Sequence, residues 1–305
     1  MKMSPFYKQA EVMLRTLPFV AQEKCFALKG GTAINFFIRD LPRLSVDIDL
    51  TYLPIESREA SLSGISESLN RIAVAIRKTM QTFKVQEQIS SKTKLVSKLV
   101  VRAENQTVVV EPNEILRGAV QPPRIRKLAK QAQDVFGLSV TLDVLSDADL
   151  YGGKLCAALD RQHPRDLFDV KILLENEGIT DAIRQCFVVY LASHDRPIHE
   201  VLQPTRKDIT EVFEDYFEGM TTETVSLKDL HDVRESLVRI INKDLTDAER
   251  RFLLSIKEGT PDWALIEIDG VEKLPGIQWK LLNIKQMNKK KHKEYIEKLK
   301  KRLGL

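Results

Sequence analysis

The stretch Lys29–Leu50, KGGTAINFFIRDLPRLSVDIDL, constrains this chain more than any other. It opens with Gly30-Gly31 directly after the short apolar run Phe26-Ala27-Leu28, then passes through Thr32 into Ala33, Ile34, Phe36, Phe37 and Ile38 at roughly helical spacing. That order predicts a strand turning sharply into a helix, with the glycine pair supplying the backbone freedom for the turn. The stretch closes on Asp47-Ile48-Asp49-Leu50. Residues two apart on a strand share a face, so Asp47 and Asp49 stand side by side while Val46, Ile48 and Leu50 point into a core. Two carboxylates that close repel each other unless a cation sits between them. The free N–H groups where a helix opens suit a phosphate. Taken singly, each part has an ordinary reading, as a tight turn and as a solvated strand face. Taken together they point to metal-assisted chemistry on a nucleotide, because a half-buried strand keeps two acids among apolar residues only with a partner for them.

Around this stretch the chain alternates in type. Pro5–Leu17 reads as a helix stopped by Pro18, Cys25–Leu28 as the first core strand, Gly31–Arg39 as a helix and Asp47–Tyr52 as a strand. Ser57–Phe83 carries Leu62, Ile65, Leu69, Ile72, Ala73 and Ile76 at spacings of three or four, the mark of an amphipathic helix. Strand-like runs follow at Val85–Ile89, Lys94–Arg102, Thr107–Glu111 and Leu138–Leu145, with a basic surface loop expected over Arg117–Lys130. Helix after helix then follows: Asp181–Ala192, Lys207–Phe217, Ser226–Ile241, Asp247–Lys257 and a basic Lys285–Arg302. The order predicts an α+β fold with a mixed sheet, not a regular βαβ alternation. The boundary falls between a core over residues 1–145 and a mainly helical region over 146–305.

A second informative stretch is Asp147–Asp169, in which Lys154, Ala157, Arg161, Arg165, Asp166 and Asp169 fit the spacing K-x-x-A-x-x-x-R-x-x-x-R-D-x-x-D. Lys154, Ala157 and Arg161 share a helix face. Pro164 starts a new helix and brings Arg165 and Asp166 into its first turn. An ammonium and guanidinium groups there can hold phosphate oxygens, and Asp166 can orient Lys154 or Arg165 or act as a base. A surface ion-pair network joining two helices is the competing reading. Asp169 reads as a pairing residue and His163 as incidental.

The glycine turn followed by Asp-x-Asp resembles the nucleotidyltransferase fold of the DNA polymerase β type. The wording KGGTA with R-x-S-x-D-I-D-L, and the K-x-x-A-x-x-x-R-x-x-x-R-D-x-x-D spacing, resemble the AbiEii family of type IV toxin–antitoxin and abortive-infection toxins, to which the MenT toxins are close relatives. The resemblance implies a toxin transferring a nucleoside monophosphate from an NTP to an acceptor, first of all a tRNA 3′ end, and an antitoxin encoded beside it. It implies Mg²⁺, two ions, with Mn²⁺ as an alternative. Asp47 and Asp49 would hold the metal. In that fold a third carboxylate lies on a neighbouring strand, and Glu111, closing Val108-Val109-Val110, takes that role, with Glu114 as the fallback. Lys29, Gly30, Gly31, Thr32, Lys154, Arg161 and Arg165 would face nucleotide and phosphates, with Asp166 counted as catalytic. A protein or small-molecule acceptor is the alternative, and an idle nucleotide- or partner-binding protein is the other.

Charge and cysteine content add limits. The ten Lys/Arg against two Glu in Lys280–Leu305 give +8, so the remaining residues sum to −4 of the overall +4. Such a basic segment is either a polyanion surface or a solvated helix. Cys25, Cys156 and Cys186 have neither disulfide nor zinc spacing and read as buried thiols. With no apolar run long enough to span a bilayer and no signal-type N-terminus, a cytoplasmic protein without membrane contact is expected.

Overall fold

Among the residues described by the computed structural model, Ser4 and 6–305, the first half of the chain builds a mixed sheet of seven strands. They are β1 (Phe26–Lys29), β2 (Ile48–Tyr52), β3 (Lys84–Ile89), β4 (Val96–Ala103), β5 (Gln106–Pro112), β6 (Arg124–Lys127) and β7 (Thr141–Val144). Their spatial order is β3-β4-β5-β2-β1-β7-β6. The central strand β2 runs antiparallel to β1 and parallel to β5, and β1 runs parallel to β7. This is the expected α+β class.

Four helices accompany the sheet: α1 (Phe6–Val20), α2 (Gly30–Ala33), α3 (Arg58–Thr79) and α4 (Lys130–Phe136). Helix α2 continues as a π-type segment over Ile34–Ile38. In α3 the expected stripe from Leu62 to Ile76 is buried, and Ser57 caps the helix by accepting from the Ala60 N–H at 3.1 Å. The expected start of α1, Pro5, lies outside the described residues. Pro18 does not stop α1 as expected: Phe19 and Val20 are buried, and their packing carries the helix on although proline offers no N–H.

One expectation near the β6 edge of the sheet needs correcting. Arg117–Lys130 is not a surface loop: Arg117 is buried, and Arg124–Lys127 forms edge strand β6, paired antiparallel with β7. Edge strands readily carry charged residues because one side of their backbone is unpaired, and charge there discourages pairing with another chain.

From Asp147 the chain is helical: α5 (Asp147–Arg161), α6 (Pro164–Glu175), α7 (Asp181–Ser193), α8 (Ile198–Leu202), α9 (Thr210–Tyr216), α10 (Leu227–Asp244), α11 (Asp247–Glu258), α12 (Pro275–Lys285) and α13 (Lys289–Leu303). The core here includes Leu155, Leu159, Phe187, Leu237, Phe252 and Ile277, all within 1 % of fully buried. A Cβ on Gly152 would lie 2.7 Å from the Phe187 nitrogen, so glycine is what lets α5 and α7 pack backbone to backbone. Reciprocal capping boxes, Ser226 with Asp229 and Thr246 with Glu249, start α10 and α11. The basic helix expected over Lys285–Arg302 begins later, at Lys289: α12 ends at Lys285 and Asn288 caps the start of α13.

The two halves are separate compact units, one ending at Ser146 and the other beginning at Asp147, with one exception. Glu218–Thr224 belongs to the sheet-bearing unit, where the Leu44 N–H donates to the Met220 carbonyl at 2.8 Å and Arg43 and Thr221 form an isolated antiparallel bridge. No helix among the described residues is long and apolar enough to cross a membrane. Cys156 and Cys186 are buried thiols as expected, and Cys25 is half-buried.

Candidate active site

In the sheet-bearing unit the geometry starts from β1. Its last residue, Lys29, pairs with Asp49 of β2, and the chain then reverses through Gly30 at φ +72°. A side chain at Gly30 would meet that left-handed backbone and would also place a Cβ 2.5 Å from Oδ2 of Asp49. The turn therefore lies directly against the carboxylate, and only glycine fits. At Gly31 the added atom would lie 2.6 Å from Nη2 of Arg43 and 3.1 Å from Oγ of Ser45.

Thr32 lies beneath this turn, buried. Its hydroxyl donates to the Asp47 main-chain oxygen at 2.6 Å and lies 3.0 Å from the Ser45 hydroxyl. That hydroxyl ties the turn to the segment leading into β2. Arg43 is almost wholly buried and donates to the Leu44 carbonyl at 2.8 Å. Arg43 and Ser45 thus join the site as its support, a role that sequence reasoning did not give them. The signal lay in the spacing: Arg43, Ser45, Asp47 and Asp49 recur every second residue.

Asp47 and Asp49 are half-buried, while Val46, Ile48 and Leu50 are buried as their alternation requires. Asp49 faces Glu111 across the parallel β2–β5 pair, in Cα register. Residues opposite each other in a sheet project to the same face, so Lys29, Asp49 and Glu111 form a charged row across three strands. Lys98 of β4 extends it, its Nζ 3.6 Å from Oε1 of Glu111. Glu114 follows the end of β5, where Asn113 accepts from the Ile115 and Leu116 N–H groups, and it lies against Arg58, 4.0 Å away. Register thus singles out Glu111 over Glu114 as the neighbour of Asp49. Among the described residues no three Asp, Glu, His or Cys side chains are gathered closely enough to hold a metal, and Glu111 is turned to Lys98.

The second stretch builds a different cluster in the helical unit. Pro164 opens α6, as expected, and His163 before it is the cap: its Nδ1 accepts from the Arg165 N–H at 3.1 Å. His163 therefore has a structural task that the sequence did not suggest. Lys154 of α5 places its amine 2.8 Å from Asp166 Oδ1 and 2.9 Å from Asp169 Oδ2, all three side chains being at most 5 % exposed. Arg161 chelates Asp166 through Nε and Nη2, although its own side chain is largely exposed. Burial alone would raise the Asp166 carboxyl, but Lys154 and Arg161 overcome it and hold that group far below the usual carboxylate range. A carboxylate so stabilised is a poor proton acceptor, so this geometry suits Asp166 to orienting cations and not to acting as a base. Lys154 is likewise enclosed by two acids, and Asp169 is a pairing residue as expected. Arg161 and the half-buried Arg165 are the cations of this motif with solvent access.

With this geometry in place, comparisons with known proteins become informative. The family model described as nucleotidyl transferase AbiEii toxin, type IV TA system, matches residues 11–281. Among solved structures the chain is similar to MenT4, a nucleotidyltransferase toxin from Mycobacterium tuberculosis H37Rv. The TM-score is 0.60 at 16% identity, over 91% of this chain and 92% of that one. At that identity the likeness speaks for the fold. A search of curated proteins finds no match.

Proposed function

The chain belongs to the AbiEii nucleotidyltransferase toxin family, and from that premise we propose that it transfers a nucleoside monophosphate from an NTP to a tRNA 3′ end. The acceptor hydroxyl oxygen forms a bond to the α-phosphorus, the α–β bridging P–O bond breaks, and pyrophosphate leaves with that electron pair. The hydroxyl proton is released to solvent or to a nearby carboxylate. No covalent enzyme intermediate is needed, so positioning and charge neutralisation carry the rate.

Asp47 and Asp49 would hold a divalent cation, with Glu111 completing the set. Their donors are all carboxylate oxygens, which suit Mg²⁺ or Mn²⁺ over softer metals. Glu111 would have to leave Lys98, an ion pair 54 % exposed on the acid's side and worth under about 1 kcal/mol. When bound, a pair of such ions neutralises the triphosphate and lowers the pKa of the attacking hydroxyl. Lys29 and the Gly30-Gly31 backbone would line the phosphate side; in the helical unit Arg161, oriented by Asp166, and Arg165 are the cations proposed to meet phosphate oxygens. A cognate antitoxin would restrain the activity, in keeping with the type IV family.

The observation that supports this reading most is the fit of Gly30 against Asp49, a turn that only glycine can make, closed directly on one carboxylate. Its test incubates wild type and an Asp47→Ala/Asp49→Ala variant with total tRNA, Mg²⁺ and each α-labelled NTP in turn. Label entering tRNA with wild type alone is the expected result. A wild type that labels protein and leaves tRNA unlabelled would move the acceptor to a protein side chain. Equal labelling by both proteins would remove the two aspartates from the chemistry.

A further inference from the structure

The +8 segment from Lys280 is not a loose tail. It forms α12 and α13, and α13 is anchored in the helical unit by Leu299 and Leu303, both buried. With its apolar residues turned inward, α13 presents Lys291, Tyr295, Lys298 and Arg302 at steps of four, three and four, one continuous stripe. Three ammonium groups surround the Tyr295 ring: Lys257 of α11 at 5.0 Å from its centre, Lys291 at 5.4 Å and Lys298 at 5.7 Å. His199 of α8 meets the same ring edge-on at 5.4 Å.

The fold offsets this crowding of like charge only in part. Lys257 is 4 % exposed, yet its amine rests on the Met287 sulfur at 3.6 Å and on the Tyr295 ring, with no carboxylate in ion-pair reach among the described residues. Burial, and then Lys291, pull its pKa below the ordinary lysine value. Acids answer only part of the positive charge on α13: Glu294 holds Lys298 at 2.6 Å, and Glu258 stands 3.9 Å from Lys300, beside the stripe. A helix serving only to pack would gain from acids at these positions. Cations concentrated against their own repulsion suit a polyanion that repays the repulsion when it binds. The stripe from Lys291 to Arg302 is about 16 Å long at 1.5 Å per residue, comparable to several phosphates of a duplex with one charge per roughly 1.7 Å of axis. A lipid surface fits less well, because membrane-lying helices insert apolar residues beside their cations, and Leu299 and Leu303 of α13 are buried in the protein.

We propose that α13, backed by Lys257, is the surface on which the RNA acceptor docks, its phosphates lying along Lys291, Lys298 and Arg302. The inference rests on the reading of the acceptor as tRNA, and a binding measurement separates the two. Fluorescence anisotropy with labelled tRNA, across a salt series, would compare wild type with Lys291→Gln/Lys298→Gln/Arg302→Gln, whose three positions are outside the core. We expect Kd to rise tenfold or more and the slope of log K against log salt to flatten by about 2–3, with KM for tRNA rising in step. A second variant, Lys257→Met, should bind tRNA at least threefold more weakly and melt at a higher temperature, since it removes a buried cation. A Kd and salt slope within twofold of wild type in the glutamine variant would overturn the inference. So would loss of binding to phosphatidylserine vesicles in that variant with tRNA binding retained. Wild type that binds tRNA through α13 but never labels it would leave the surface standing and refute the transfer reaction instead.

Discussion

Replacing Lys154 by methionine separates a fold-supporting lysine from a phosphate ligand. The amine lies within 2.9 Å of two carboxylates that are almost completely buried. Removing one partner of a buried pair leaves uncompensated charge and costs about 3–5 kcal/mol. Arg161 stays with Asp166 in the variant, so the lower end applies, about 3 kcal/mol. For a unit of this size that is a fall in Tm of roughly 6–12 °C, measurable by calorimetry or by urea midpoint. Lys154→Met/Asp169→Asn, which removes charge from both sides, should recover much of the loss. The pH dependence carries the same signature. The folded Asp166 carboxyl is held below its unfolded value, so its contribution is present above the unfolded value near 3.9 and is lost progressively as pH falls from there towards the folded value. Lys154→Met should flatten that acid limb. If Lys154→Met melts within 2 °C of wild type while transfer falls a hundredfold, the reasoning fails, and the amine is held for the nucleotide and not for the fold.

Other perturbations follow from single contacts. Gly30→Ala must shift Asp49 by nearly 1 Å to relieve the 2.5 Å approach, on top of about 1–2 kcal/mol of left-handed strain; transfer should fall by about a hundredfold or more. Gly137→Ala is its control, since Gly137 has φ +63° but nothing within 4 Å, and it should lose about 1 kcal/mol with activity unchanged. Thr32→Val strips the hydrogen bond to the Asp47 carbonyl and should cost about 1–3 kcal/mol by urea midpoint. Lys280 donates to the His194 and Arg196 carbonyls, and burial pulls its pKa down to about 8. The folded value lies below the unfolded one, so stability should rise as pH climbs from about 8 towards 10. Lys280→Met should lack that rise between urea midpoints at pH 7.5 and 9.5.

What could be read from the residues was whatever has a local period or a local cap. Ile48 and Leu50 alternate with Asp49 and are buried; Leu62 to Ile76 recur every three or four residues and line α3; Pro164 opens α6. Long-range pairing left no such trace. Arg124–Lys127 reads as a basic loop because three of its four residues are charged, and only the neighbour β7 makes it a strand. Arg117 looked like a surface cation, yet it is buried. The cluster on Lys154 was legible as a spacing, but whether its cations face solvent or buried acids depends on how α6 lies against α5. His163 was passed over because an imidazole cap has no period at all.

The return of Glu218–Thr224 to the sheet-bearing unit has a consequence in time. Met220 and Thr222 hold Leu44 and Pro42, a few residues before Asp47, by hydrogen bonds of 2.8–3.0 Å. On a ribosome adding about 5–20 residues per second, roughly 10–35 s pass between the emergence of Asp47 and that of Thr224. Through that interval a nascent chain has the glycine turn and both aspartates but not the strap beside them. The same holds for any fragment cut before residue 218, however well its own strands pair.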